Sequence, residues 1–393
     1  MAINNRATNQ TTINTNIPDN TTELITPALD REARTDLNDS MFNKIDEPRD
    51  QAQDIVYVSP DGLVTGKNGD QSSCFSTFAS AISAVPGGGI VKALGGDYTE
   101  SIVLNKEGIT LDISGCRLTG RIVIGERNLT INARGALITG NGSQNIIDSN
   151  TFPTNQSGLR VIGGVWNGLT QPVARIQDQV SGCFFRNCVF TSSILGNVVL
   201  IESQEANFQN CIINATNAGN AYAVFVEGVD ALVRLYNCFI TSTGGNAVGV
   251  FADSTLRITK GSLTGGNYGL FTTNTVGNTV DLIAEDVTII GGSNYAVYLD
   301  QLTDNVRFTR CLIAATSDIE AVRLDTNRSV GKDTLFEYCT FFAGPTKQIF
   351  SQAESDTSVT YVNKCSFNKV AFVYTAQIIE TDTCYQPNTP LIL

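Results

Sequence analysis

Histidine is absent from all 393 residues of this chain. Without an imidazole, the protein cannot use a histidine as a general base or as a metal ligand, which excludes histidine-dependent hydrolases and histidine zinc sites. None of the ten cysteines is paired with another in a Cys-x-x-Cys motif, so a zinc or haem site has no support from cysteine spacing either. The sequence therefore predicts no metal and no cofactor.

Charge is also scarce, and its balance is acidic. Only 16% of the residues are Asp, Glu, Lys or Arg, and the net charge is −12. An acidic surface is unsuited to the phosphate backbone, so we expect no nucleic-acid partner. No apolar run reaches the roughly 18 residues that a membrane span needs, and residues 1–20 lack the apolar core of a secretory signal. We therefore expect no membrane span.

A repeat dominates the rest of the chain. Eleven times between residues 113 and 367, an apolar residue is followed three positions later by a small residue, and two positions after that by another apolar residue. Successive copies are 20 to 28 residues apart. A repeat of this length predicts a solenoid in which each copy forms one rung. The small-residue column comprises Cys116, Ala136, Gly164, Cys188, Cys211, Cys238, Gly261, Val287, Cys311, Cys339 and Cys365.

Seven of the ten cysteines fall in this column. Strands of neighbouring rungs lie about 4.8 Å apart, which is within reach of a disulfide, but stacked side chains that point the same way have poor geometry for one. We therefore predict small buried thiols that fill a narrow core. Free thiols fit assembly in a reducing cytosol.

The chain divides into four segments. Residues 1–52 form a predicted attachment segment, with an extended arm followed by a helix over about 27–46, in which Thr26 is the N-cap and Pro27 the first helical residue. Residues 53–112 supply an N-terminal cap, with a short helix over 77–85, and the first rung. Residues 113–370 form the rungs, and residues 371–393 a C-terminal cap or tail. The apolar stripe of the long helix, which needs a partner to cover it, is Leu29, Ala33, Leu37, Met41 and Ile45.

The start of the repeat region resembles a known family. The segments at 56–62 (VYVSPDG), 75–82 (FSTFASAI) and 95–100 (GGDYTE) are similar to the entry of pectin-lyase-like right-handed parallel β-helices, a group that includes bacteriophage tailspikes and virion fibres. The Asn-Cys pairs of later rungs, as in Asn187-Cys188, look like the same superfamily, and the resemblance covers about residues 55–370. It implies an all-β solenoid, but because this scaffold carries lyases, hydrolases and adhesins, it implies little about activity.

The N-terminal segment is similar to head and tail appendage proteins of phages. This resemblance implies a virion location after assembly in the host cytoplasm. It also implies other virion proteins as partners of residues 1–50. A homotrimer is the simplest assembly.

A second pattern recurs in the middle of the rungs. One column places large residues at Leu200, Phe225, Phe251, Phe271, Tyr298 and Arg323, and a second, two positions later, holds acids at Glu202, Glu227, Asp253, Asp300 and Asp325. Residues two apart on a strand share a face, so we expect an aromatic stripe beside an acidic ladder. The stripe has three interpretations: a subunit contact about a threefold axis, a buried column if the alternation shifts at a bulge, or a sugar-binding surface for a host polysaccharide.

The acidic ladder raises the possibility of hydrolysis. Glycosidases use two carboxyl groups about 5–5.5 Å apart for retention or about 6.5–9.5 Å apart for inversion. Glu202 with Glu227, or Asp300 with Asp325, lie on adjacent rungs and can reach such separations. Asp and Glu residues are also common where strands end at solvent-exposed corners, however, so we assign no catalytic residue.

We expect a bacteriophage spike or fibre that displays a β-helix to the host surface. The alternatives are a polysaccharide-degrading hydrolase or lyase and a purely structural virion decoration.

Overall fold

The protein is described here from a computed structural model. It describes residues 55–63, 66, 69–142, 144–149, 157–169, 171–177, 181–193, 196–202, 204–216, 221–228, 230–251, 254–273, 280–300, 303–324, 333–352, 359–368 and 378–380. The predicted attachment segment lies outside these residues, with its helix stripe at Leu29, Ala33, Leu37, Met41 and Ile45. So does the C-terminal tail, apart from residues 378–380.

The described residues form a parallel β-solenoid. Their strands pair in parallel with the strands of the preceding and following rungs in two sheets, one of 11 strands and one of 23. One short helix accompanies them in the described part of the chain. The predicted all-β parallel β-helix is therefore confirmed.

Each rung contributes one strand to the 11-stranded sheet and usually two strands to the 23-stranded sheet. The 11-stranded sheet comprises Ile102–Leu104, Ile122–Ile124, Ile147–Asp148, Ala174–Ile176, Val199–Ile201, Tyr222–Val226, Asn246–Val250, Leu270–Thr272, Val297–Leu299, Val322–Leu324 and Phe350–Gln352. The 23-stranded sheet comprises Ile55–Leu63, Ile90–Ala93, Asp97–Thr99, Thr110–Asp112, Arg117–Thr119, Thr130–Asn132, Leu137–Thr139, Arg160–Ile162, Val165–Gly168, Cys183–Arg186, Val189–Ser192, Glu205–Gln209, Ile212–Ala215, Ala231–Ser242, Ser254–Gly265, Val280–Gly291, Thr303–Thr309, Leu312–Ala315, Thr334–Glu337, Thr340–Phe342, Thr360–Asn363, Ser366–Phe367 and Ile378–Glu380.

The two apolar columns that flank the small-residue column form the core. Every member of both columns is at most 2% exposed, because alternate residues of each strand point inward. Large rings stack from rung to rung, as Phe185 does on Phe208 with ring centroids 4.7 Å apart and planes at 8°. Trp166 is fully buried, and its indole nitrogen donates a hydrogen bond to the carbonyl oxygen of Gly163. The repeat read from the sequence is thus the hydrophobic core of the solenoid.

The cysteines of the small-residue column are buried free thiols, as predicted. All nine cysteines in the described part of the chain are buried and unpaired with one another. Six of them repeat one contact: the sulfur lies 3.4–3.6 Å from the carbonyl oxygen of the inward apolar residue of the preceding rung, as Cys211 does with Phe185. The thiol therefore serves as a small apolar side chain with weak polar contacts to two backbone carbonyl oxygens.

A left-handed residue precedes the small-residue column in every rung. These residues have φ between 50° and 76° and are Gly115, Gly135, Gly163, Asn187, Asn210, Asn237, Lys260, Asp286, Arg310, Tyr338 and Lys364. Glycine and asparagine adopt this conformation readily, which explains the Asn-Cys pairs in the sequence. The residue turns the chain at the corner between the two strands that each rung gives to the 23-stranded sheet.

The short helix Phe78–Ala84 has the position that the sequence predicts, over 77–85 with its caps included. The first rung holds it at both ends. The carboxylate of Glu100 accepts hydrogen bonds at 2.9 and 3.0 Å from the amides of its first two residues. At the other end, the ammonium of Lys106 donates to the carbonyl oxygens of Ser83 and Val85. Each charge satisfies free backbone groups and opposes the helix dipole, so the helix is fixed against the solenoid.

Candidate functional site

The outward side of the 11-stranded sheet carries one side chain per rung in a continuous register. In chain order this outer column is Val103, Val123, Asp148, Arg175, Leu200, Phe225, Gly249, Phe271, Tyr298, Arg323 and Ser351. The column is charged at Asp148 and Arg175, and its aromatic members are Phe225, Phe271 and Tyr298. Five of the six residues predicted for the stripe lie in it.

The sixth predicted residue, Phe251, is not in the column, and the structure corrects its position. Gly249 occupies the register place between Phe225 and Phe271, and Phe251 lies two residues further on. The reason is the strand register, which pairs Phe225 with Gly249 and not with Phe251. The ring of Tyr222 covers Gly249, where a Cβ atom would lie 2.2 Å from Cε1 of Tyr222. Only glycine leaves room for this ring.

Seven rings form one connected surface, which we call the aromatic patch: Tyr222, Phe225, Phe251, Tyr268, Phe271, Tyr295 and Tyr298. Phe271 lies at its centre, with its ring centroid 4.8 Å from that of Tyr268 and 4.9 Å from that of Tyr298. All seven side chains are half-buried, while their strand neighbours Val224 and Val226 point into the core. The rings therefore lie on the outside of the solenoid and leave one side open to solvent.

Asparagine side chains fix the backbone beneath the patch. The side-chain oxygen of Asn197 accepts a hydrogen bond at 3.2 Å from the amide of Tyr222, and that of Asn246 accepts one at 3.2 Å from the amide of Tyr268. Burial raises the pKa of the Tyr222 hydroxyl to about 12, while its hydrogen bond with Asn246 acts in the opposite direction. Tyr222 is thus a neutral, positioned ring at physiological pH.

Paired charges border the patch on its N-terminal side. The guanidinium of Arg175 donates two hydrogen bonds of 3.0 Å, one to each carboxylate oxygen of Glu202. One rung earlier, Arg121 lies 3.5 Å from Asp148. Glu227, one rung after Glu202, is exposed.

The predicted acidic ladder is not uniform. Asp300 is only 8% exposed, and its amide donates a hydrogen bond to the hydroxyl of Thr272, so this acid does not stand in solvent beside Tyr298 as expected. Asp253 and Asp325 lie outside the described residues. The described acids therefore differ in burial and pairing from rung to rung.

A second outward surface was missed at the sequence level. Five consecutive rungs of the 23-stranded sheet place apolar side chains side by side, and we call them the neutral stripe: Leu137, Val165, Val189, Ile212 and Phe239. Four of the five are 39–48% exposed. The neighbouring column on the same face holds Thr139, Asn167, Thr191, Asn214 and Thr241, so no charge interrupts it. In the sequence, each residue of the neutral stripe directly follows a residue of the small-residue column.

Comparisons with known proteins agree on the fold. No protein-family model matches the chain, and no curated protein matches it by sequence. The A-module of a mannuronan C-5 epimerase from Azotobacter vinelandii is similar in structure, with a TM-score of 0.55 at 13% identity, over 84% of this chain and 98% of that one. The chain has the parallel β-helix fold of this module.

Two further neighbours of this β-helix have lower structural scores. The pectate lyase Pel9A has a TM-score of 0.42 at 16% identity, over 84% of this chain and 79% of that one. A tailspike of Acinetobacter baumannii bacteriophage Fri1, a capsular polysaccharide depolymerase, has a TM-score of 0.28 at 14% identity, over 74% of this chain and 57% of that one. At 13% identity, the likeness to the epimerase module shows a shared fold and nothing about activity.

The described acids of the ladder do not form a free pair of carboxyl groups. A glycosidase needs one protonated and one ionised carboxyl group across the scissile bond. Both oxygens of Glu202 are occupied by Arg175 and Asp300 is buried, which leaves Glu227 as the exposed acid among the described members of the ladder. The described residues also contain no group of three or more Cys, Asp or Glu side chains placed to hold a metal ion. No helix among them is long and apolar enough to cross a membrane.

Proposed function

We propose that the protein is a bacteriophage virion appendage, a spike or fibre, whose β-helix binds a polysaccharide of the host surface through the aromatic patch. The observation that carries the proposal is the contiguous outward set of seven half-buried rings. The exposed parts of these rings offer apolar surface to the C–H groups of sugars, while polar groups at the margin satisfy hydroxyls. From the rung of Tyr222 to that of Tyr298 the patch extends over three rung spacings, or ~14 Å.

The acids beside the patch bear on whether the protein binds or degrades the polysaccharide. We propose an adhesin because the described acids beside the patch supply no free pair of carboxyl groups. A polysaccharide-degrading enzyme is the alternative, with Glu227 as its exposed acid. Release of reducing ends from host capsule or lipopolysaccharide on incubation with the protein decides between them: an adhesin releases none, and release that stops in Glu227→Gln favours the enzyme.

The virion role rests on residues 1–52. Their predicted helix has an apolar stripe that needs a partner, and a particle protein can supply one. We expect a chain that lacks residues 1–52 to fold and to bind polysaccharide but to be absent from purified particles, as measured by mass spectrometry of virions produced with the truncated gene. Incorporation of the truncated chain at the level of the full chain would contradict the attachment role.

We further propose that three copies associate through the neutral stripe. Four of its five side chains are more exposed than those of the patch. The stripe carries no charge, so identical copies of a chain with net charge −12 meet here with less like-charge repulsion than at a charged surface. This arrangement leaves the aromatic patch open for polysaccharide.

We expect Phe239→Asp, which places three like charges in the contact, to convert the trimer to monomers in light scattering. The control is Phe342→Asp, at a position 43% exposed outside the neutral stripe, which should leave the mass unchanged. An unchanged trimer in Phe239→Asp would show that the copies meet elsewhere.

A further inference from the structure

Asparagine is followed by glycine at three places in the chain: Asn68-Gly69, Asn141-Gly142 and Asn167-Gly168. In such a pair the main-chain nitrogen of the glycine can attack the side-chain amide carbon of the asparagine, because glycine has no side chain to obstruct the approach. The attack requires a glycine amide that no hydrogen bond holds and an asparagine whose main chain can rotate. The structure around each pair therefore decides which asparagine is chemically labile.

Asn141 and Gly142 lie in the connection between the strands Leu137–Thr139 and Ile147–Asp148. Asn141 is exposed, and neither residue makes a hydrogen bond with any other residue that the structure describes. Gly142 has φ of 94°, in the left-handed region, and a Cβ atom built there would have no other atom within 4 Å. Packing thus leaves both residues of this pair room to rotate.

The pair Asn167-Gly168 is the same dipeptide inside a strand. It ends the strand Val165–Gly168, in which Gly168 is buried and in register with the next rung. The main-chain carbonyl of Asn167 accepts a hydrogen bond from the amide of Gly140 at 3.0 Å, and its side-chain oxygen accepts one from the hydroxyl of Thr191 at 3.4 Å. An attack on Asn167 requires this part of the ladder to open first.

The third pair is held at its glycine. The amide of Gly69 donates a hydrogen bond to the carbonyl oxygen of Ile55 at 2.7 Å, while Asn68 lies outside the described residues. Because the amide must lose its hydrogen before it can attack, this bond opposes the reaction. Of the three pairs, Asn141-Gly142 is the one that hydrogen bonds within the described part of the chain leave unrestrained.

We propose that Asn141 is a site of covalent self-modification, at which the asparagine converts to aspartate and isoaspartate through a cyclic imide, with water as the co-reactant. The main-chain nitrogen of Gly142 loses its proton to hydroxide and forms a bond to Cγ of Asn141. The bond from Cγ to the side-chain nitrogen breaks, and ammonia leaves after taking up a proton from water. Water then adds to either carbonyl carbon of the imide and breaks the bond from that carbon to nitrogen, so nothing is oxidised or reduced.

The modification changes charge and backbone at one corner of the solenoid. A neutral amide becomes a carboxylate, which makes a chain of net charge −12 more acidic. In the isoaspartate product the main chain runs through the former side chain and is longer by a carbon atom. Gly140, directly before the site, is fixed by its hydrogen bond to Asn167, so the added length falls in the connection and not in the strands. We therefore expect the modified chain to keep the solenoid fold.

The test incubates the full-length protein in isotope-labelled water at mildly alkaline pH, where hydroxide speeds the attack. Digestion at acidic pH and mass spectrometry then measure labelled oxygen in the peptides that contain the three pairs. We expect Asn141 to convert at least ~10-fold faster than Asn167, because a core strand opens rarely, and faster than Asn68. In guanidinium, where the strands are lost, the rates at Asn141 and Asn167 should agree to within ~3-fold.

The matched variant is Asn141→Gln, which keeps the amide but needs a larger ring to cyclise. Its peptide should take up no label over the same period. Its melting temperature should equal that of the unaltered protein, because Asn141 is exposed and makes no hydrogen bond to a described residue.

Three results would each overturn the proposal: equal rates at Asn141 and Asn167 in the folded protein, a faster reaction at Asn68 than at Asn141, or aspartate without isoaspartate. The last of these would mean that water attacks the side chain directly and that no imide forms. The experiment uses neither polysaccharide nor virus particles, so its failure leaves the proposed function unaffected.

Discussion

Phe208→Ala should lower the free energy of unfolding by about 3–5 kcal/mol, the largest effect on stability that we expect from one core substitution. Phe208 is 1% exposed and stacks on Phe185 of the preceding rung, with its edge toward Phe190. Its removal leaves a cavity between rungs that cannot close, because the backbone hydrogen bonds fix the spacing of the strands at about 4.8 Å. Urea unfolding followed by circular dichroism measures the loss.

The control for this prediction is Phe342→Ala. Phe342 is the same residue type in the same sheet but is 43% exposed, so its truncation should change the free energy of unfolding by less than about 0.5 kcal/mol. Similar effects at both positions would mean that the inward column does not carry the stability of the solenoid.

Phe271→Ala should reduce the affinity for host surface polysaccharide by about 10- to 100-fold, or ~1.4–2.8 kcal/mol. Phe271 is the central ring of the aromatic patch and contacts Tyr268 and Tyr298 directly. Its loss removes apolar contact area and also releases its neighbours from their fixed orientations, so the bound sugar loses several contacts at once. Binding is measured by titration with polysaccharide extracted from host cells.

Two control variants distinguish a loss of binding from a folding defect. Phe271→Leu keeps an apolar side chain of similar bulk and should retain the melting temperature while still weakening binding, because the flat ring face is lost. Phe342→Ala truncates the same residue type far from the patch in the register and should bind normally. Unchanged affinity in Phe271→Ala would contradict the role of the patch.

The repeat made the fold predictable from the sequence. An inward column of small residues between two apolar columns predicts the fold even where one rung alone is ambiguous, because eleven copies must share one register. The cysteines followed from the same argument, since a thiol in such a column has room to pack and poor geometry to bridge. The short helix at Phe78–Ala84 was also predictable, from its apolar spacing and from the Pro86-Gly87 sequence that follows it.

The outward surfaces were harder to predict because they depend on exact register between residues that are far apart in the chain. Phe251 follows the same local pattern as Phe225, yet the strand register places Gly249, and not Phe251, in the column. Asp300 repeats the pattern of Glu227 but is buried. Arg160 and Phe184 are 24 residues apart, and only the pairing of their strands brings them together. The repeat determines which side chains point into the core of a solenoid, whereas the position of each outer side chain also depends on the side chains next to it.

The central claim is that the aromatic patch is the surface that binds polysaccharide, and hydroxyl-radical footprinting with mass spectrometry tests it most directly. In the presence of host polysaccharide, oxidation of Phe225, Phe271 and Tyr298 should fall several-fold, while the exposed rings of Tyr338 and Phe342 should oxidise as before. Unchanged oxidation of the patch, with protection found elsewhere on the solenoid, would contradict the account.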